Sequence, residues 1–109
     1  MDLQISVEES GSTRRIRLRG SCDLATAPSL RQTLFELTPP EVSEVVLDVT
    51  DLDFIDSTGL GVVLGAMRRL REGGGNLAIA GAQGVVRRVL EITDLDKVIP
   101  MIDAAPSPD

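Results

Sequence analysis

The chain has 109 residues, enough for one domain and too few for two. It has no histidine, a single cysteine (Cys22), two phenylalanines and neither tryptophan nor tyrosine; that excludes His-based acid–base chemistry, His-ligated metals, an internal disulfide and a Cys-rich zinc site. A net charge of −6 argues against non-specific nucleic-acid binding, which needs a basic field and often stacking aromatics, and favours protein partners.

Leu3, Ile5 and Val7 alternate with Gln4, Ser6 and Glu8. After a turn at Ser10, Gly11 and Ser12, Ile16 and Leu18 alternate with Arg15, Arg17 and Arg19. The period of two predicts a β-hairpin with one buried face. Its arginine stripe reads as a solvated face with acidic cross-strand neighbours such as Glu8, or else as a basic binding patch. Residues 20–27 read as a loop. Pro28 suits the first position of a helix, Leu30, Leu34 and Leu37 repeat at helical spacing, and Pro39–Pro40 stops it.

Val45, Val46, Leu47 and Val49 form a dense apolar run around Asp48. Such density predicts a central strand buried on both faces, ending at Thr50. A second helix is expected from near Ser57. Leu60, Val63, Leu64, Met67 and Leu70 form its apolar stripe, Arg68, Arg69 and Arg71 complement its C-terminal dipole, and residues 73–75, all glycine, end it. Leu77–Ala80 reads as a strand and Gln83–Ile92 as a third helix with Val86, Val89 and Leu90 inward. Lys97–Ile102 reads as an edge strand because Pro100 interrupts it. Residues 104–109 read as a flexible tail after a domain of residues 1–103. The order β-β-α-β-α-β-α-β predicts an α/β fold with a mixed sheet.

Residues 1–10 have neither a basic start nor an apolar h-region, and no segment approaches ~20 apolar residues. Neither a secretory signal nor a membrane span is expected, and the cytoplasm is the expected compartment.

The stretch DFIDSTGLG, residues 53–61, concentrates the chemistry. A calcium loop from Asp51 would want oxygen at its fifth position, glycine at its sixth and glutamate at its twelfth. Ile55, Asp56 and Val62 stand there. A magnesium site through two of the aspartates stays open, although nothing indicates it. A nucleoside-triphosphate loop needs Gly-Lys, which is absent. Gly59, Gly61 and Gly65 loosely imitate a dinucleotide fingerprint, but too far from a strand ending at Thr50. Ser57 has no histidine to activate it, and the sole lysine, Lys97, is distant in sequence. No catalytic residue, cofactor or metal is therefore expected, and the chain does not read as an enzyme.

Asp56 or Ser57 suits a helix N-cap. A phosphate on the serine would sit at a helix N-terminus, which tolerates anions locally. It would also add about −1.5 to −2 charge beside Asp53 and Asp56, and so repel a bound partner. At about 100° per residue, Ser57, Gly61, Gly65 and Arg68 fall on one line of the helix. The two glycines either flatten a docking strip or permit close packing against another helix; sequence leaves both readings open.

The run VVLDVTDLDFIDSTGLGVVLGAMRRL, with GSCDLATAP upstream and GGNLAIAGAQGVVRRVLEITDLDKVI downstream, resembles the STAS-domain family, and within it the bacterial anti-sigma factor antagonists. The resemblance covers roughly residues 3–102. It implies a single STAS-type domain with helices packed mainly on one face of a mixed sheet. It implies an anti-sigma factor serine kinase as partner, phosphorylation at Ser57 (Thr58 being the second choice), a phosphatase that resets the switch, and a monomer or weak dimer. Asp23 and Asp56 match acidic positions beside the acceptor. Together with Ser57, Thr58, Gly59, Gly61, Gly65 and Arg68 they are the expected partner-binding residues. Ser21–Cys22 departs from the family pattern where an acid is common, and the family's C-terminal helix is not evident. The same family also supplies scaffold subunits of stress-signalling assemblies and accessory subunits of membrane transporters.

Overall fold

The computed structural model describes residues 2–104. Its elements run β1 (Leu3–Ser10), β2 (Thr13–Cys22), α1 (Ala27–Leu37), β3 (Glu44–Ile55), α2 (Ser57–Glu72), β4 (Asn76–Ala80), α3 (Gly84–Ile92), a 3₁₀ turn (Leu95–Lys97) and β5 (Met101–Ile102). The strands form one sheet in the order β1-β2-β3-β4-β5. β1 and β2 are antiparallel, joined through Gly11 at φ +59, a conformation that glycine adopts without steric cost. The other pairings are parallel, each bridged by a helix. The expected order and the mixed sheet are both present.

Register explains the two faces. Ile16, Leu47 and Ile79 lie side by side across β2, β3 and β4, and Leu77 pairs with Val45. All five are buried. One contiguous core joins them to Leu30 and Leu34 of α1, Val63, Met67 and Leu70 of α2, and Val86 and Leu90 of α3. The alternate rungs carry Arg15, Val46 and Ala78, and next to them Arg17, Asp48 and Ala80. Arg15, Val46 and Ala78 are only half-buried. Period-two alternation thus separates an apolar layer from a charged one.

Two members of the arginine stripe, Arg15 and Arg17, form an ion-pair network. Arg15 donates to Asp48 Oδ2 at 2.8 Å, and Arg17 lies 3.3 Å from Glu8 and 4.0 Å from Asp48. Asp48 is buried within the apolar run because Arg15 neutralises it and Thr50 donates two further bonds, from N–H at 3.0 Å and from its hydroxyl at 2.6 Å. Burial would push its carboxyl upward, but the Thr50 and Arg15 hydrogen bonds outweigh burial and hold it below the ordinary 3.8.

Several boundaries differ from the sequence reading. β2 extends through Cys22, and α1 begins at Ala27 with Pro28 second, so the connection is only residues 23–26. β3 continues five residues past Thr50 to Ile55, because parallel pairing with β2 carries a polar stretch that has little strand periodicity of its own. Residues 95–97 form a 3₁₀ turn and only Met101–Ile102 pair, since Pro100 cannot donate to a ladder. On α2, Leu64 is half-buried while Val62 and Ala66 are buried, as α1 packs along that side. Gln83 precedes α3; its amide donates to Thr50 O at 2.8 Å. The expected tail lies, apart from Ala104, outside the described residues.

Candidate functional site

β2 and β3 end on the same rung, with Ser21 beside Phe54 and Cys22 beside Ile55. Two register shifts, between Arg17 and Arg19 and between Gly20 and Ser21, advance β3 by two residues and make this so. The β2–α1 connection and the start of α2 are therefore neighbours at the carboxyl ends of parallel strands, where open α/β sheets place their sites.

Asp56 joins the two. Its backbone is extended and it is the N-cap of α2, with Oδ1 accepting the Gly59 N–H at 3.0 Å. Oδ2 accepts the Leu24 N–H at 3.2 Å. The Asp56 N–H donates to Cys22 O at 3.1 Å. Asp56, not Ser57, thus caps the helix. Ser57 is the first helical residue and is exposed, and Thr58 is half-buried.

The connection is itself stiff. The Asp23 N–H donates to Thr26 Oγ1 at 2.9 Å, while Asp23 Oδ1 accepts the N–H groups of Ala25 and Thr26 at 3.0 and 3.1 Å. The Thr26 hydroxyl also donates to Ser21 O at 2.8 Å. This reciprocal pairing resembles a capping box transposed to a loop. The Thr26 N–H, opposed by partial desolvation and assisted by the Thr26 hydroxyl and the Ala25 N–H, holds the Asp23 carboxyl below 3.8.

Cys22 lies beneath the first turn of α2. Burial, with the charges of Asp56 and Asp23 added, pushes its thiol up to about 11. Gly59 is buried against it, so of the expected partner-binding residues Gly59 is a packing residue. Gly61 and Gly65 behave oppositely: both are exposed, and a Cβ on either would meet nothing within 4 Å. For those two the close-packing alternative falls. With Arg31, Leu34, Val62, Ala66 and Arg69 they line a shallow groove of about 250 Å³ between α1 and α2. Arg68 is exposed and makes no hydrogen bond or ion pair among the described residues. Ser57, Gly61, Gly65 and Arg68 therefore present one open line along α2.

Asp51 and Asp53 are exposed on β3, outside this junction, and among the described residues no three His, Cys, Asp or Glu side chains converge on a metal position. The distance objection to a dinucleotide loop needs correction: β3 ends at Ile55, so strand, Asp56 and helix form a tight junction after all. A dinucleotide site would also want an acidic residue at the end of the next strand for the ribose, and β4 ends in Ile79–Ala80.

Sequence reasoning missed Thr26 and Leu24. The Asp-x-x-Thr spacing could have revealed the first. Nothing in the sequence marks Leu24, whose role depends on a carboxylate thirty-two positions away.

A family model described as STAS domain matches residues 4–106. The chain belongs to the STAS family. This STAS domain is 33% identical over 104 residues to the anti-sigma F factor antagonist of Paenibacillus polymyxa, covering 94% of this chain and 89% of that one. Among solved structures it is similar to the anti-sigma factor antagonist SpoIIAA in its unphosphorylated form, with a TM-score of 0.81, 27% identity, and 94% and 89% of the two chains covered. It is also similar to the Bacillus cell fate determinant SpoIIAA in the phosphorylated form, with a TM-score of 0.73, 27% identity, and 94% and 92% covered. No helix among the described residues is long and apolar enough to cross a membrane.

Proposed function

We propose that this STAS domain is an anti-sigma factor antagonist whose activity is switched by phosphorylation of Ser57. Unphosphorylated, it binds a serine-kinase anti-sigma factor in the cytoplasm and so frees the sigma factor. The kinase transfers the γ-phosphoryl group of ATP to Ser57 Oγ; the hydroxyl proton is lost and ADP leaves. A phosphatase hydrolyses the ester and resets the switch.

The observation that carries this reading is the placement of Ser57: exposed at the first position of α2, directly after a cap carboxylate already engaged in two hydrogen bonds. A phosphate there leaves the cap in place and the core untouched, but puts about two negative charges on the surface that a partner must desolvate. Thr58 is half-buried and a poorer acceptor. Similarity to relatives named anti-sigma factor antagonists, one of them known in both phosphorylation states, supports the same reading.

Incubation with serine-kinase anti-sigma factors of the source bacterium and Mg-ATP, followed by phosphopeptide mapping, tests it. The expected phosphate is on Ser57. Ser57→Ala should keep kinase binding and Ser57→Asp should lose it. Modification elsewhere, or Ser57→Asp binding as the wild type does, overturns the proposal.

A further inference from the structure

We infer that Leu24 is the apolar anchor by which this chain engages its kinase partner, and that Asp56 is the residue that positions it; the inference rests on the reading of Ser57 as phospho-acceptor. Leu24 is 74% exposed, more than any other large apolar residue among those described. A single exposed leucine ordinarily needs no explanation. This one sits in a backbone fixed by hydrogen bonds. Its own N–H is bound by Asp56 Oδ2, and its flanking residues Asp23 and Thr26 are locked to each other by reciprocal hydrogen bonds.

That combination is what makes an interface residue energetically dominant. A flexible leucine would have to be ordered on binding, at an entropic cost; here the backbone is ordered beforehand. A partner that covers the side chain then gains the full benefit of removing it from water.

Geometry also ties Leu24 to the reacting group. The two oxygens of one carboxylate hold Leu24 and the first turn of α2, which begins with Ser57. A protein that brings its active site to the Ser57 hydroxyl therefore reaches the neighbourhood of Leu24. The fitting partner surface is an apolar pocket rimmed by basic side chains, which would face Asp23 and Asp56.

The test is calorimetric titration of a serine-kinase anti-sigma factor that binds the wild-type chain. Leu24→Ala should weaken binding by roughly thirty-fold or more, the range of an interface anchor. Leu24→Met should stay within about three-fold, because it keeps the apolar volume. Neither should lower the melting temperature, since the side chain is exposed. Asp56→Asn retains a cap oxygen but cannot offer both acceptors. It should weaken binding less than Leu24→Ala and speed amide exchange at Leu24. Leu24→Ala binding within three-fold of wild type overturns the anchor while leaving the phospho-switch standing. Unchanged exchange and affinity in Asp56→Asn overturn the positioning role. A wild-type chain that binds none of these kinases overturns the phospho-switch, and the inference with it.

Discussion

The sulfur of Cys22 occupies the space that a side chain at Gly59 would need. A Cβ there would stand 2.6 Å from Cys22 Sγ, 2.9 Å from Ile55 Cγ1 and 3.0 Å from the Cys22 carbonyl oxygen. The strand end and the helix start are therefore in direct contact, and the junction carrying Ser57 is built on that contact.

The three α2 glycines should respond to alanine with opposite signs. Gly59→Ala overpacks the junction and should cost about 1–3 kcal/mol. Gly61→Ala and Gly65→Ala meet open space and should each add about 0.5–1 kcal/mol, the gain in helix propensity. Urea titrations of the three variants check this. Cys22→Ala should restore only part of the Gly59→Ala loss, because a backbone oxygen contributes to the clash as well.

Asp56→Ala should lower stability by about 1–2 kcal/mol, the usual cost of removing a cap side chain. Asp56→Asn should cost much less, since asparagine caps nearly as well. Thermal unfolding followed by circular dichroism separates the two. Amide exchange should accelerate at both Gly59 and Leu24 in Asp56→Ala, as both N–H groups lose an acceptor.

Acid should expose the Asp48 network. Its carboxyl is depressed in the folded state, so its contribution is complete well above 3.8 and is lost as pH falls below that value through the folded one, where the unfolded chain binds the proton more readily. Asp48→Asn should cost about 2 kcal/mol at pH 7, less than a fully buried pair because Arg15 remains 19% exposed. The variant should also show a shallower loss of stability as pH falls below 3.8. Melting temperatures across that range for both proteins provide the comparison.

Cys22 should be unreactive in the native protein. A thiol pushed up to about 11 is thiolate in roughly one molecule in ten thousand at pH 7, and it is buried as well. Iodoacetamide labelling should be slow without denaturant and rapid in concentrated urea, with full modification read by mass spectrometry. Fast native labelling would show that the α2 junction opens readily.

Much of this molecule was legible in its residues. Alternation in residues 3–18, leucines at helical spacing after Pro28 and the stripe beginning at Leu60 determine the order of elements. Local periodicity follows from burying one face of each element, so it survives without tertiary information. DFIDSTGLG likewise marks a helix start with a modifiable hydroxyl beside its cap. Residues 51–55 were not legible as strand, because their pairing is enforced by β2 and not by a pattern of their own. The same pairing, shifted twice, brings Cys22 level with Ile55 and so decides which side chains meet at the site. That Gly59 packs while Gly61 and Gly65 stay open, and that one carboxylate serves both Leu24 and α2, depends on contacts between segments far apart in the chain. Such contacts leave no period in the sequence, so only the folded sheet determines them.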